Sequence, residues 1–286
     1  MRVRILLTGG KGQVGSALVP ALAPLGEVSA FDRQTLDLLD LQSIKNTVAR
    51  VKPDIIVNAA AYTAVDRAER EKDLALEVNF RAVKELAREA RSIDALLIHF
   101  STDYVFDGEK PAPYVETDAP NPLSVYGSSK LEGERAIAAS GCRHLIFRTS
   151  WVYGPAGRNF LHAILAAAKT KPELRVVDDQ RGAPTSSMAI AGAVAQVLSA
   201  ANLSKKPGGI YHLSAAGETT WHGFATEILK GKGLNTPVVA IRSNEYPVAA
   251  RRPKNSLLDN SKLGATFGIA LPDWRQSLPA VLAAIH

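Results

Sequence analysis

Tyr126 and Lys130 stand four residues apart in Ser124-Val125-Tyr126-Gly127-Ser128-Ser129-Lys130, a spacing that puts both side chains on one face of a helix. A phenol and an ammonium so placed can deliver a proton. An isolated tyrosine, with a pKa of about 10, is too weak an acid for good transfer near neutrality. A nearby ammonium favours the phenolate and draws that value toward the working pH, and the same lysine can hold the ribose of a cofactor. The spacing alone is common, so its weight comes from its company. The segment Ile98-His99-Phe100-Ser101-Thr102-Asp103-Tyr104 puts hydroxyls at the carboxyl end of a predicted central strand, where ligands collect in open parallel sheets. Thr102 can there hydrogen-bond a substrate oxygen beside Tyr126; capping of the strand end is the other reading of Ser101 and Thr102.

The second constellation is Thr8-Gly9-Gly10-Lys11-Gly12-Gln13-Val14-Gly15, a G-x-x-G-x-x-G loop between the first predicted strand and a helix. Glycines there let the backbone turn tightly and approach a pyrophosphate without a Cβ in the way, while the free amides of the helix start attract the anion. Gly9, Gly12, Gln13, Val14 and Gly15 are therefore expected to bind a dinucleotide. Asp32 ends the next strand about 20 residues on, where an acid bonds the adenosine ribose hydroxyls of NAD. Arg33 beside it either holds the extra phosphate of NADP or is a solvated surface arginine, so NADPH, NADH or both are expected. Small side chains at Ala59, Ala60 and Ala61 suit a chain end that passes close to a flat cofactor.

These groups need a scaffold, and the chain supplies one. Its 286 residues are 46% hydrophobic and 22% charged, which excludes collagen, long coiled coil and disorder. Short apolar runs (Val3 to Leu7, Val28 to Phe31, Ile55 to Val57, Leu96 to Phe100, Leu145 to Thr149) alternate with helical patterns (Val14 to Leu22, Leu41 to Arg50, Leu74 to Ala90, and one near Ser124). That alternation predicts an α/β fold, a Rossmann-type doubly wound parallel sheet. Beyond Trp151 it weakens, then returns in the helix Met188 to Leu198 and the strand Ile210 to Leu213. Residues 1–153 plus 187–213 are thus expected to form a dinucleotide-binding domain, and 154–186 plus 214–286 a smaller, discontinuous α/β substrate-binding domain. The patterns at Phe224 to Leu229 and Leu278 to Ile285 read as core faces of the latter.

The net charge of +6 is spread without a basic run, so nucleic acid is not an expected partner. Cys142 is the lone cysteine, which forbids an intramolecular disulfide or a cysteine zinc cage and is the usage of a reducing compartment. The start lacks the length of a signal h-region and no later run approaches membrane-spanning length, so the expectation is a cytoplasmic protein with no membrane partner. His99, His144, His162, His212 and His222 have no metal-ligand spacing and read as satisfied core or surface histidines; His286 is terminal.

Together these residues resemble the extended short-chain dehydrogenases/reductases. The resemblance covers nearly the whole chain: the Thr8 to Gly15 loop, Val57 to Asp66, Ser101 to Phe106, Tyr126 with Lys130, Phe147 to Tyr153, Asp179 to Thr185, and Arg252-Pro253-Lys254-Asn255-Ser256. It implies an NAD(P)H-dependent oxidoreductase that reduces the 4-keto group of a dTDP-6-deoxy-hexulose, yielding dTDP-L-rhamnose. Tyr126 would protonate the alkoxide, Lys130 would tune Tyr126 and hold the ribose, and Thr102 would orient the carbonyl. Asp37, Leu38 and Asn79 complete the expected cofactor contacts. Asp103, Tyr104, Trp151, Asn159 and Arg252 complete the substrate contacts, with Trp151 packing on the sugar and Asn159 touching the nucleotide diphosphate.

Two positions depart from the family. Its Mg²⁺-dependent dimers carry glutamates just after the glycine loop and just after the Pro-Thr stretch, where this chain has Ser16-Ala17 and Ser187-Met188. Neither Ala17 nor Met188 offers an oxygen to a hard cation, so no metal is expected, and the chain is expected to be a monomer or a metal-independent dimer. Dehydratases of the superfamily follow the threonine with Asp-Glu; here Tyr104 follows Asp103, which disfavours elimination. Epimerising reductases use a cysteine and histidine pair, whereas Cys142 reads as structural. The alternative from another class is a non-catalytic, dinucleotide-binding regulatory subunit, since the chain also resembles the β subunit of methionine adenosyltransferase.

Overall fold

The chain folds through β1 (Val3–Thr8), α1 (Gln13–Leu22), β2 (Gly26–Phe31), α2 (Leu41–Val51), β3 (Ile55–Asn58), α3 (Val65–Ala68), α4 (Lys72–Leu76), α5 (Ala82–Ser92), β4 (Leu96–Thr102), α6 (Val125–Ser140) and β5 (His144–Thr149). It continues through β6 (Val152–Tyr153), α7 (Phe160–Ala168), β7 (Leu174–Val177), β8 (Arg181–Gly182), β9 (Thr185–Ser186), α8 (Ser187–Ser199) and β10 (Gly209–His212). The last elements are β11 (Thr219–Thr220), α9 (Trp221–Gly231), β12 (Val238–Ile241), α10 (Ser261–Phe267) and α11 (Trp274–Ala283). The structure, a computed structural model, describes residues 2–200 and 208–285; His286 and residues 201–207 of the segment expected to rejoin the larger domain lie outside the described residues.

Six parallel strands form the central sheet in the order β10-β5-β4-β3-β1-β2. From β1 the chain runs outward to β2 and then crosses back to β3 on the other side, so the strand order reverses between β1 and β3 and a crevice opens at their carboxyl ends. Apolar residues fill both faces. On one, Ile5, Leu7, Val57, Ile98 and Phe147 pack with Leu18 of α1 and Val194 of α8. On the other, Leu6, Ile56, Leu97 and Ile146 pack with Ile44, Leu86 and Ile137 of α2, α5 and α6. Burial on both faces is why these strands read as continuous apolar runs. The fold class is the expected α/β Rossmann-type sheet with helices on both faces.

A separate core lies beyond the sheet, where Tyr153, Leu161, Val176, Phe224, Ile228, Trp274, Leu278 and Val281 pack together. Leu263, Ile269 and Leu271, which the sequence groups with this smaller unit, pack instead onto the sheet face that holds α1 and α8. The pairs β6 with β9, β8 with β11 and β7 with β12 tie the smaller unit together. The sequence offers no sign of the two-residue strands, because two residues cannot display an alternation. Among the described residues no helix is long and apolar enough to cross a membrane.

The helix expected over Leu74 to Ala90 departs from a regular pattern. Five residues between α4 and α5, Glu77–Arg81, form a π-helical turn. The widened turn carries the buried Asn79, which accepts from Tyr62 N at 2.9 Å and donates to Tyr62 O and Ser129 Oγ at 3.0 Å each. Gly133 lets α6 pass against it, since a Cβ there would overlap Asn79 O.

α6 starts where Ser124 Oγ accepts from Gly127 N and is locked to β5 by a buried ion pair. Arg148 Nε and Nη2 donate to Glu134 Oε1 and Oε2 at 2.9 and 2.6 Å, with both side chains 2% exposed. The guanidinium also sits 5.0 Å over the Phe106 ring. Removing one partner would leave a bare buried charge. Glu134→Leu is therefore expected to lower the unfolding free energy by about 3–5 kcal/mol in urea titrations, and adding Arg148→Met to recover much of it. A single-variant loss too small to resolve would mean that the pair is hydrated.

Candidate active site

A cavity of about 960 Å³ opens at the carboxyl ends of β1, β3 and β4. Its wall contains Gly9, Gly12, Gln13, Val14, Asp32, Arg33, Asp37, Leu38, Ala59, Ala60, Ala61, Thr102, Asp103, Tyr104, Tyr126, Lys130 and Trp151. Four other expected site residues, Gly15, Asn79, Asn159 and Arg252, lie behind or beside that wall.

At the glycine loop the backbone itself is the surface. Gly9 has φ +70° and lies so close to β3 that a Cβ would stand 2.7 Å from Ala60 N. Gly15 packs beneath the loop against Gly9 O and Gly10. Gly12, which begins α1, makes no side-chain cap, so the first amides of the helix remain open to an anion. Gln13 Oε1, Ser101 Oγ and Thr149 Oγ1 are buried at the wall without a hydrogen-bond partner. A cradle that any Cβ would fill, open amides and unsatisfied polar atoms together fit a dinucleotide diphosphate and carboxamide.

Asp32 Oδ1 accepts from Gln34 N, Thr35 N and Thr35 Oγ1, and Oδ2 pairs with the Lys11 ammonium. Lys11 first, then Thr35, hold the carboxyl down at about 2. The acid expected to meet the ribose is thus already engaged by the loop, and Arg33 is exposed next to it. Lys11 stands within the glycine motif, but its pairing with Asp32 cannot be seen from spacing.

At the other end Tyr126 hydrogen-bonds Thr102 and packs edge-on to Tyr104, with ring centroids 5.6 Å apart. Thr102 Oγ1 also donates to Asp103 Oδ1 at 3.1 Å and accepts from Tyr104 N at 3.2 Å, so it caps the strand end as well. Lys130, 2% exposed, donates from Nζ to Phe100 O at 2.7 Å and meets His99 Nε2 at 3.1 Å. The expectation that Lys130 draws the Tyr126 phenol down is corrected here. Burial pushes the phenol up to about 12, the Thr102 bond opposing and the Asp103 charge adding to the rise. Lys130 Nζ faces Phe100 O and His99 Nε2, which leaves one of an ammonium's three donors over. Burial pushes Asp103 up to about 6 and Lys130 down to about 8.

The far wall is aromatic. Trp151, at φ +48°, lies with one face on Gly182 and the other stacked on Trp221, centroids 3.6 Å apart and planes within 9°. Trp151 lines the cavity together with Trp221 and Phe160, the latter two with ring centroids 4.6 Å apart. Trp221 Nε1 donates to Gln180 Oε1 at 3.1 Å. Trp221, which comes from the smaller unit, is not singled out by any motif or spacing. Asn159 caps α7, accepting from His162 N and donating to Gly154 O, while its neighbours Arg158 and Phe160 line the cavity. Arg252 pairs with Asp66 at 2.7 Å and hydrogen-bonds Tyr104, joining the late segment to α3. Among the described residues no group of three or more His, Cys, Asp or Glu is placed to hold a metal ion.

Residues 3–286 match the family model described as RmlD substrate binding domain. A dTDP-4-dehydrorhamnose reductase of Burkholderia thailandensis is 45% identical, the match covering 96% of this chain and 97% of that one. The Escherichia coli K12 protein of the same name is 42% identical over 98% and 97%. The crystal structure of dTDP-4-dehydrorhamnose reductase from Bacillus anthracis in complex with NADP superposes with a TM-score of 0.94 at 32% identity, covering 99% of both chains. An ortholog from Clostridium acetobutylicum gives 0.92 at 38% over 98% of each. Likeness of this degree runs through the glycine loop, the sheet and the smaller unit alike, and the chain belongs to the dTDP-4-dehydrorhamnose reductase family.

Proposed function

We propose that this chain reduces dTDP-4-dehydrorhamnose to dTDP-L-rhamnose with NADPH or NADH as reductant and Tyr126 as the proton donor. The observation that carries the reading is the convergence of Thr102, Tyr126 and Lys130 on one cavity whose other end is the glycine loop. Gly9, Gly12, Gln13, Val14 and the alanines after β3 would hold the dinucleotide, which when bound would supply the hydride. Thr102 and Tyr126 hold the carbonyl oxygen between their hydroxyls. As that oxygen gains negative charge, Tyr126 passes it a proton; its high pKa keeps the phenol loaded at neutral pH. The Lys130 ammonium offsets the charge left on the ring oxygen and reaches the cofactor ribose.

The smaller unit, built on the core of Tyr153, Leu161, Phe224 and Trp274, is assigned to the sugar nucleotide. Trp221, backed by Trp151, offers the apolar surface on which a sugar face stacks. Arg158 and the Asn159-capped start of α7 serve the diphosphate, and Arg252 fixes Tyr104 at the sugar's edge. Ala17 and Met188 offer no oxygen to a cation, so turnover without Mg²⁺ is expected.

Nicotinamide absorbance with the 4-keto sugar nucleotide generated in situ tests the reading. Wild-type protein should oxidise the cofactor, and Tyr126→Phe should lose about 10²- to 10⁴-fold in kcat while still binding NADPH. No oxidation of either cofactor would move the assignment to a non-catalytic dinucleotide-binding protein. Lys130 is charged only below about 8, so kcat should hold near neutrality and fall as pH rises through that value; a rate flat to pH 9.5 would remove the lysine from the mechanism. Arg33→Ala should raise KM for NADPH about tenfold and leave that for NADH nearly unchanged, as measured by initial rates. Equal changes in both would place Arg33 outside the phosphate site.

A further inference from the structure

Lys130 is the end of a buried row of polar side chains that runs across the sheet. Thr8 on β1, Asn58 on β3 and His99 on β4 are register partners, Thr8 opposite Asn58 and Asn58 opposite His99. All three are at most 1% exposed. Thr8 Oγ1 donates to Asn58 Oδ1 at 2.6 Å and accepts from Ala60 N at 3.3 Å; Asn58 Nδ2 meets His99 Nδ1 at 3.0 Å; His99 Nε2 meets Lys130 Nζ at 3.1 Å.

Counting protons along this row leaves an ammonium one arrangement, while an amine also fits the orientation in which Asn58 presents Oδ1 to Thr8 and Nδ2 to His99. A neutral imidazole carries one N–H. Where Asn58 Nδ2 donates to Nδ1, the ring proton sits on Nε2 and points at Nζ, which an amine can accept and an ammonium cannot. For an ammonium, Nε2 must accept, the proton moves to Nδ1, and Asn58 turns its carbonyl to the ring and its amide to Thr8. Complete burial, with the neighbouring lysine charge adding to it, keeps His99 neutral in both. The other charged or titratable groups around the lysine are Tyr126 and Glu134 on α6, Arg148 of β5 paired with Glu134, and Asp103 after β4; β1 and β3 contribute only neutral Thr8 and Asn58.

We propose that His99 is a positioning residue for Lys130, its ring tautomer set by Asn58 and Thr8 and inverting with the lysine's charge, so that the row fixes where Lys130 titrates and links it to the start of the glycine loop. The inference deepens the reductase reading and rests on it for its kinetic consequence. The tautomer can be measured without turnover. Two-bond ¹H–¹⁵N spectra of ¹⁵N-histidine-labelled wild-type protein should show a neutral His99 throughout, Nδ1-protonated near pH 6.5 and Nε2-protonated near pH 9.5. A single tautomer across that range overturns the proposal.

The kinetic arm uses two variants. His99→Leu leaves the ammonium without an acceptor and should move the alkaline limb of kcat about one unit lower, cutting kcat at pH 7.5 several-fold while the NADPH dissociation constant stays near wild type. His99→Gln, which keeps an acceptor oxygen, should bring the limb back toward wild type. A folded His99→Leu with an unmoved limb, or a glutamine variant no nearer wild type than leucine, overturns the proposal. Should His99→Leu fail to fold, the wild-type tautomer decides alone. Absence of turnover in the wild type would sink the reductase reading and leave the tautomer experiment to judge the row.

Discussion

A lysine charge buried at the carboxyl end of a parallel sheet is the constraint around which this protein is arranged. The side chain of Lys130 is almost wholly out of water, and an ammonium there is tolerable only if fixed acceptors replace its hydration. A strand carbonyl, Phe100 O, supplies one acceptor, and the imidazole supplies the other when its proton is on Nδ1. The next acid on the helix, Glu134, is satisfied by Arg148, which leaves the lysine's charge free to act on whatever occupies the cavity. A helix that brings a cation so deep must itself be anchored, and the buried ion pair, the Ser124 cap and the approach allowed by Gly133 provide that anchorage.

The cofactor end works by the opposite means. There the binding surface is backbone, and side chains are kept out of the way. Gly9 touches the chain after β3, and Ala59 and Ala60 keep that chain thin. The π-helical turn before α5 belongs to the same economy of space: by widening one turn it delivers the Asn79 amide to both polar groups of Tyr62, so the segment after the alanines is held by a side chain fixed in the core. Where the adenosine ribose would lie, an ion pair between Lys11 and Asp32 offsets the acid's charge beside the exposed Arg33.

The large unit was legible in the sequence because its signals are local and repeated: apolar runs of strand length, helix patterns between them, and glycines at a spacing tied to a strand-to-helix turn. The positions of Thr102, Tyr126 and Lys130 follow from the same pattern. What escaped has a common cause. Trp221 reaches the cavity only through the packing of the smaller unit, and nothing in Thr219-Thr220-Trp221 announces a partner seventy positions earlier. Asn159 and Arg252 read as ligand contacts, while their structural duties, capping α7 and clamping Asp66, depend on neighbours that no periodicity reveals. His99 stood in a wholly buried strand, and a histidine in such company is a polar group in need of partners. The sequence could raise that question but not name Asn58 and Lys130 as the answer. The spacing of Lys130 predicts a lowered tyrosine pKa, an inference that burial of the phenol reverses.

The order of strands in the sheet also has a temporal side. β5 lies between β4 and β10, and β10 is drawn from residues 209–212, made well after β5 has left the ribosome. At ordinary rates of synthesis, about 5–20 residues per second, the outer edge of β5 spends several seconds with its amides and carbonyls unpaired. Such an edge is a template for a strand from another molecule, and the nearest supply is an adjacent nascent chain on the same message. Closing the sheet from within the chain therefore ends a period of exposure that begins long before the cavity exists.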